Sequence, residues 1–260
     1  MTKDNQTIRR WPTLTGRRLI HPTRTGRRAT GRVLHFAVLF LLAAFVAVPR
    51  AVASDPIRIV TFGDSLIAGY GVPAGKAFPN QLEQALRATY PDIEIINAGV
   101  SGDTSAAGLA RFDWAIPAGV DGALVLFGGN ELLRGIRPAR LEKNLDAILA
   151  RLDKRNIESL LLGMKAPSNA GSRYVTAFDR VYPTLATKHD TLLVDFFLEG
   201  VALNRQLNLP DGIHPNTAGI AEIVRRVKPT VVKLIERIER RRSAGSDART
   251  DEKDGATTSG

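Results

Sequence analysis

A serine, an aspartate and a histidine in this sequence are of the residue types that form a hydrolytic triad. Ser65 lies in TFGDSLIAGYG (61–71), directly after an apolar run, and Asp211 precedes His214 by three residues in PDGIHPNTAG (210–219). A serine hydroxyl needs a base to take its proton, and the base needs an orienting acid. The Asp-x-x-His spacing can bring the carboxylate close to Nδ1 of the imidazole and leave Nε2 for Ser65. These residue types favour nucleophilic catalysis.

Each of these residues also has an ordinary structural explanation. A Gly-Asp-Ser is most often a strand-to-helix turn, and Pro-Asp-Gly is a turn signature in which Asp211 bonds its own backbone. Beyond residue 53 the chain has one other histidine, His189, whose position at the end of a predicted helix favours a surface cation. Lone histidines are usually structural, so the catalytic interpretation of His214 depends on the residues around it.

The elements that must position these side chains alternate between strands and helices. Near-continuous apolar runs predict five strands of a parallel sheet that is covered on both faces, and the segments between them predict helices. This alternation predicts an α/β domain of three layers, doubly wound around a five-stranded, mainly parallel sheet. The strands are expected at 57–63, 93–100, 122–129, 157–164 and 191–196, and the helices at about 77–90, 104–115, 138–155, 173–188 and 216–242.

Three polar loops follow the first three predicted strands. They are GDS (63–65), SGDTS (101–105) and GGNEL (128–132). The active crevice of an open parallel sheet lies beyond the carboxyl ends of its strands, so these loops are expected at one rim. Within them, Gly102 is also explained by backbone geometry alone and Asn130 by a turn in the left-handed conformation.

The positive charge of the chain belongs to its first fifty residues. The formal net charge is +10, but residues 1–50 hold ten Lys or Arg and one acid, so that 26 basic and 25 acidic residues remain beyond them. A nearly neutral body argues against a nucleic-acid partner. The absence of cysteine excludes disulfides, thiolate zinc sites and a cysteine nucleophile.

The first 53 residues have the composition of an export signal. A basic stretch precedes the apolar VLHFAVLFLLAAFVAV (33–48), and AVA (51–53) provides small residues for a signal peptidase. This apolar run is shorter than the roughly 20 residues of a membrane span, which favours a cleaved signal peptide over an uncleaved anchor. We therefore expect a leader at 1–53, a catalytic domain at 54–242 and, from its polar composition, a disordered tail at 243–260.

Four sequence blocks together resemble the SGNH (GDSL-type) hydrolase family. The resemblance is to the branch of small exported arylesterases and thioesterase/lysophospholipases, and it covers nearly all of residues 57–237. It implies a flavodoxin-like sheet order. The blocks are FGDSLIAGYG (62–71), NAGVSGDTSAAGLAR (97–111), LFGGNELLRG (126–135) and DGIHPN (211–216).

The resemblance implies a role for each candidate residue. Ser65 would be the nucleophile, His214 the general base and then the general acid, and Asp211 the residue that orients His214. The backbone N–H groups of Ser65 and Gly102 and the side-chain amide of Asn130 would form the oxyanion hole, since a tetrahedral oxyanion needs fixed donors. The family's use of these residues requires neither a metal nor a cofactor.

Three further residues are expected to contact substrate: Asp64, Glu131 and Leu132. This branch usually has an aspartate after the oxyanion-hole asparagine, and this chain has Glu131 instead. The extra methylene keeps the charge but can shift the loop ELLRGIRP (131–138), which lies beside the acyl pocket in relatives. The substitution therefore puts the substrate preference in question and leaves the triad intact.

The resulting functional hypothesis is an exported serine hydrolase, periplasmic or secreted. It would cleave carboxylic esters or thioesters (aryl esters, acyl-CoA or lysophospholipids) through an acyl-enzyme, and it would contact membrane only through an uncleaved leader. Two alternatives remain at this point. One is an O-deacetylase of cell-envelope carbohydrate, and the other is a non-catalytic binding domain of the envelope.

Overall fold

The computed structural model describes residues 55–257, which contain one five-stranded sheet. All its neighbouring strands are parallel, in the order β2-β1-β3-β4-β5. The leader predicted for 1–53 lies outside the described residues, whereas the predicted parallel sheet and its flavodoxin-like order are confirmed. The strands are β1 (Arg58–Gly63), β2 (Glu94–Gly99), β3 (Gly122–Leu126), β4 (Glu158–Leu162) and β5 (Leu192–Val194).

The central strands are apolar along their whole length because helices cover both faces of the sheet. Every residue of β3 is buried, and β1 is buried from Ile59 onward. Gly63, the last residue of β1, pairs with Leu126 of β3, and a Cβ at Gly63 would lie 2.5 Å from the Leu126 carbonyl oxygen. Only glycine therefore allows these two strand ends to approach closely.

Eight α-helices lie in the described part of the chain. The predicted apolar stripe of α5 is confirmed, since Leu141, Leu145, Ile148, Leu149 and Leu152 are all buried. The helices are α1 (Ser65–Ala68), α2 (Phe78–Leu86), α3 (Ser105–Ala115), α4 (Gly129–Leu133), α5 (Pro138–Lys154), α6 (Ser172–Asp179), α7 (Val181–Lys188) and α8 (Thr217–Thr257).

The helix predicted at 173–188 consists of two helices, α6 and α7, which meet at Arg180. Pro183 explains the interruption, because a proline ring collides with the carbonyl group four residues earlier and lacks an N–H donor. That carbonyl belongs to Asp179, the last residue of α6. The short helices α1 and α4 were not predicted as helices, since one turn is too short to give a periodic pattern.

The final helix is longer than the segment 216–242 that its apolar pattern predicts. α8 continues through residues 243–257, where the composition predicts a disordered tail. Once a helix is nucleated, each added residue forms one more hydrogen bond at little cost, which accounts for the extension. No helix within residues 55–257 has the length and apolar character needed to cross a bilayer.

The helices form two layers around the sheet. α2 packs against α8 on one face, while α3, α5 and α7 pack together on the other. The chain reverses its direction of winding between β1 and β3, and the crevice of a doubly wound sheet lies at this switch point. All the described strands and their core belong to one compact unit, Ser54–Gly260, which can therefore be studied without the leader.

Candidate active site

The turn after β1 presents Ser65 at the carboxyl edge of the sheet. Asp64 caps α1, and its Oδ1 accepts a hydrogen bond of 3.0 Å from the backbone N–H of Leu66. Ser65 is the first residue of α1, so its own N–H has no partner inside the helix. This half-buried serine thus combines an accessible hydroxyl with an N–H that faces outward from the helix start.

The loop before α8 holds His214 against Asp211. Oδ1 of Asp211 accepts hydrogen bonds from the backbone N–H groups of Ile213 and His214, at 2.9 and 3.0 Å. Oδ2 of the same carboxylate lies 2.7 Å from Nδ1 of His214. The two backbone bonds and the imidazole contact lower the pKa of Asp211 to about 2. Asp211 is therefore an ionised acceptor at any ordinary pH.

The imidazole of His214 bridges Asp211 and Ser65. Its Nε2 lies 2.9 Å from Oγ of Ser65, although 149 positions separate the two residues in sequence. An ionised carboxylate only accepts hydrogen bonds, so Nδ1 must carry the proton that faces Asp211. In a neutral ring Nε2 is then an acceptor, which fits a proton donated by the Ser65 hydroxyl. The structure thus brings the three predicted catalytic residues together.

Tyr70 adds a contact that the sequence analysis missed. Its ring lies over His214 with 4.4 Å between the ring centroids and an angle of 37° between the planes. This contact restricts the orientation of the imidazole. The only sequence signal was its place in the first block, five residues after Ser65.

Asn130 reaches the same site from the turn after β3. Gly128 has a φ of +130°, and a Cβ there would collide with the hydroxyl of Tyr182. This glycine therefore allows the sharp turn that starts α4. Nδ2 of Asn130 donates a hydrogen bond of 2.9 Å to the carbonyl of Asp103 and lies 3.4 Å from Oδ2 of Asp64.

Gly102 lies at the edge of the site and not in the wall of its cavity. Its φ is +86°, and its carbonyl accepts a hydrogen bond of 2.7 Å from the Arg134 guanidinium. Arg134 thereby ties the loop after β2 to the loop after α4. Arg134 was not among the residues predicted for the site, although it belongs to the third block.

Arg111 fixes the loop after β2 from behind. Its guanidinium donates 2.6 and 2.9 Å hydrogen bonds to the Asp103 carboxylate and the Gly63 carbonyl, and it stacks 4.5 Å from the Phe62 ring centroid. Asp103 in turn accepts from Asn130. A buried, fully engaged arginine thus couples the serine turn to the asparagine turn. Its sequence signal was its position seven residues beyond Thr104, the cap of α3.

Asp64 and Glu131 form a buried acidic pair behind the site. Glu131 is 1% exposed and does not line the cavity; its Oε1 accepts hydrogen bonds of 2.7 and 2.6 Å from the N–H and hydroxyl of Ser105. The expectation that Glu131 contacts substrate is therefore corrected, because the longer side chain reaches inward to the start of α3. Burial, assisted by the charge of Glu131, raises the pKa of Asp64 to about 6.

A cavity of about 260 Å³ opens next to the triad. Ser65, His214 and Asn130 lie at its polar end, and Asp64 and Leu132 are among its lining residues, as expected. The rest of the wall is mainly apolar and comes from several loops, including the long loop after β5. These apolar residues include Leu66, Leu133, Met164, Phe196, Leu198, Ala202, Leu203 and Ile213.

A larger open depression of about 980 Å³ lies elsewhere, beside the start of β1. Arg58, Arg241 and Arg242 line it, and each of these guanidinium groups is already bound to a carboxylate. Neither Ser65 nor His214 lines this depression. The chemistry of the site therefore belongs to the smaller cavity.

The geometry agrees with comparisons with known proteins. Residues 61–221 match the GDSL-like Lipase/Acylhydrolase family. The chain belongs to this family. It is 38% identical over 194 residues to esterase TesA of Pseudomonas aeruginosa, a match that covers 74% of this chain and 95% of the relative.

Two further relatives share most of the domain. The match to thioesterase 1/protease 1/lysophospholipase L1 of Escherichia coli is 40% identical over 186 residues and covers 70% of this chain and 84% of that protein. The crystal structure of AlinE4, an SGNH-hydrolase family esterase, superposes with a TM-score of 0.59 at 46% identity, covering 69% of this chain and 97% of that one. The GDSL-family chain described here is a carboxylic ester hydrolase that acts on small-molecule esters.

Proposed function

We propose that the protein is an exported serine hydrolase that cleaves acyl esters and thioesters through an acyl-enzyme on Ser65. The observation that carries this proposal is the continuous relay from Asp211 to His214 to Ser65, with contacts of 2.7 and 2.9 Å. Both distances lie within the range for direct proton transfer.

The first half-reaction forms the acyl-enzyme. Oγ of Ser65 attacks the carbonyl carbon while its proton passes to Nε2 of His214, and the carbonyl π electrons move to the oxygen. Collapse of this tetrahedral intermediate breaks the bond to the leaving group, which takes the proton from Nε2. The ionised Asp211 stabilises the imidazolium that exists between these two steps. Water then repeats the sequence on the acyl-enzyme and releases the carboxylic acid.

The oxyanion is assigned to three donors: the N–H groups of Ser65 and Gly102 and the amide of Asn130. The strong bond from Asn130 to the Asp103 carbonyl anchors this side chain, whereas its 3.4 Å approach to Asp64 is long for a hydrogen bond. The second N–H of the amide is therefore held only weakly by Asp64 and can donate to an oxyanion while the first stays on the Asp103 carbonyl. Loss of one such donor typically lowers kcat by about 10²–10³.

The cavity favours substrates with an acyl chain over acetylated carbohydrate. Its wall beyond the triad is mainly apolar, and a volume of about 260 Å³ has room for more than an acetyl group. Each methylene buried there contributes about 0.8 kcal/mol, or roughly a fourfold gain in kcat/KM. The names of the relatives include an esterase and a thioesterase/lysophospholipase, which supports aryl esters, acyl-CoA and lysophospholipids as the classes to test.

The proposal is tested with residues 54–260 on p-nitrophenyl esters and acyl-CoA thioesters of increasing chain length. We expect kcat/KM to rise with each methylene until the cavity is filled. His214→Gln should abolish turnover, while His189→Gln, a change to the other histidine of the domain, should leave it intact. A strict preference for acetyl groups would instead support the carbohydrate deacetylase, and inactivity on every ester and thioester would leave only a binding domain.

Export is the second part of the proposal and rests on the basic, apolar and small-residue segments of 1–53. N-terminal sequencing of the protein recovered from outside the cytoplasm tests it. We expect the chain to begin near Ser54. A chain that still begins upstream of Val33 would contradict cleavage, and a chain found only inside the cell would contradict export.

A further inference from the structure

Large apolar side chains that are exposed in the described part of the chain concentrate at one edge of the sheet. Five of the six follow the carboxyl end of a strand, whereas the sixth, Trp114, lies at the end of α3 near the opposite edge. Single exposed apolar residues are normal, but a cluster surrounded by polar groups marks an interaction site. We call these five residues the apolar rim: Tyr70, Val100, Leu133, Leu203 and Ile213.

Three of the five residues of the apolar rim line the catalytic cavity, and a fourth contacts the catalytic histidine. Leu133, Leu203 and Ile213 are 64, 93 and 47% exposed, and all three also line the cavity that holds Ser65. Tyr70 is 52% exposed and stacks on His214. The same side chains thus face solvent outside and the acyl-binding space inside. A substrate chain that enters the cavity must cross this rim.

The backbone conformation of Leu203 costs free energy that packing within the protein does not offset. Its φ is +64°, a left-handed conformation that bulky side chains rarely adopt, and 93% of the residue is exposed. Glycine or asparagine would fit this backbone better. Backbone strain of this kind is concentrated at functional sites. An apolar partner outside the chain would explain why a leucine, and not glycine or asparagine, occupies this position.

Basic side chains flank the tips of the rim. Arg134 follows Leu133 directly and Arg205 follows Leu203 by two residues, and both are exposed. Arg134 donates one hydrogen bond to the Gly102 carbonyl, and neither arginine is paired with a carboxylate among the described side chains of 55–245. An apolar tip beside a cation suits a phospholipid surface, with the leucine among the acyl chains and the guanidinium at the phosphate level. A water-soluble partner would not require a leucine beside an arginine in this way.

We propose that the apolar rim docks the enzyme on a phospholipid surface, so that an acyl ester passes from the lipid into the cavity. The identity of the transferred molecule rests on the proposed function, but the docking itself does not. The leucine tips supply apolar insertion, and the adjacent arginines supply attraction to anionic lipid, which salt weakens.

The docking is tested by co-sedimentation of residues 54–260 carrying Ser65→Ala, which cannot hydrolyse the lipid. The vesicles are an equal mixture of phosphatidylcholine and phosphatidylglycerol. We expect binding that Leu203→Asn weakens about tenfold, the loss of one inserted leucine. Trp114→Asn removes an apolar side chain that is 74% exposed at the opposite edge and should leave binding unchanged. No binding, or equal losses in both variants, would overturn the proposal.

The orientation of the docked protein gives a second, independent readout. Trp114 is the one tryptophan of residues 54–260, so Leu133→Trp combined with Trp114→Phe moves the fluorophore to the rim. Vesicles should shift its emission to the blue in this variant and leave the emission of Trp114 in the parent unchanged. The reverse result would place another face on the lipid and overturn the proposal.

The two proposals can fail separately. If vesicle binding is absent while the unmodified catalytic domain still hydrolyses water-soluble esters, docking is refuted and the proposed function stands. If the rim binds vesicles but the domain hydrolyses no ester or thioester, the proposed function is refuted and docking stands.

Discussion

A buried carboxyl group beside the nucleophile should make the stability of this protein depend on pH in an unusual direction. Asp64 is 2% exposed. Burial and the negative charge of Glu131 raise its pKa from 3.8 to about 6, against the backbone N–H of Leu66, which lowers it. Most carboxyl groups stabilise a fold when they are ionised. Asp64 should stabilise it when protonated.

The expected magnitude follows from the two pKa values. Between pH 3.8 and about 6, the folded protein holds the Asp64 proton while the unfolded chain has lost it. The folded state therefore binds more protons, and the free energy of unfolding falls as pH rises through this window. One pH unit corresponds to 1.36 kcal/mol, so the whole window amounts to about 3 kcal/mol. This contribution is complete below pH 3.8 and lost above about pH 6.

Asp64→Asn removes the titration with almost no change in volume. Urea unfolding of residues 54–260, with and without the substitution, is measured between pH 4 and pH 8. The free energy of unfolding of the variant minus that of the parent should rise by up to about 3 kcal/mol toward high pH. Groups that titrate alike in both proteins cancel in this difference.

Glu222→Gln is the matched control, because hydrogen bonds from Arg225 and Arg226 lower the pKa of Glu222 to about 2 and no histidine among the described residues contacts it. The stabilisation by ionised Glu222 is present above the ordinary pKa of 4.5 and is lost only as pH falls toward 2, so the difference in free energy of unfolding between Glu222→Gln and the parent should be flat from about pH 5 upward. A flat difference for Asp64→Asn as well, or one that falls with rising pH, would refute the account of Asp64 as a proton-holding residue.

Three other outcomes follow from the site. Asp211→Asn should lower kcat by about 10³- to 10⁴-fold with little change in KM, since an uncharged amide no longer holds the proton on Nδ1 of His214 or stabilises the imidazolium; steady-state kinetics on a soluble ester test this, and near-normal kcat would refute it. Glu131→Gln should narrow the pH range over which Asp64 changes the free energy of unfolding, because removal of a neighbouring negative charge lowers the pKa of Asp64; an unchanged range in the unfolding measurement would contradict the coupling. Leu203→Asn should relieve about 1 kcal/mol of backbone strain and raise Tm by about 2–4 °C in thermal unfolding, whereas a lower Tm would exclude strain at this residue.

The sheet and the three catalytic side chains could be predicted because their signals are local. Apolar runs fixed the five strands, and polar loops at the strand ends fixed the rim where Ser65 and Asn130 lie. The Asp-x-x-His spacing gave the contact between Asp211 and His214 within one turn of chain. The break between α6 and α7 was not predicted, although Pro183 is a local signal against one continuous helix at 173–188.

The remaining features depend on contacts between residues that are distant in sequence. Glu131 was expected to contact substrate, but the space beside Ser105 turned its carboxylate inward, and no sequence pattern reports such a space. The position of Arg111 on α3 did not reveal its role, because that role comes from reaching Asp103 and the end of β1 at once. The apolar wall contributed by the loop after β5 required the path of that loop, which composition alone does not determine.

The central claim is that His214 activates Ser65, and the rate of Ser65 labelling by a fluorophosphonate probe tests it most directly. Mass spectrometry of residues 54–260 after reaction should find one adduct, on the peptide that contains Ser65. His214→Gln should slow the labelling by about 10³-fold or more, while His189→Gln should leave its rate unchanged. Labelling of another residue, or equal rates in the two histidine variants, would contradict the mechanism.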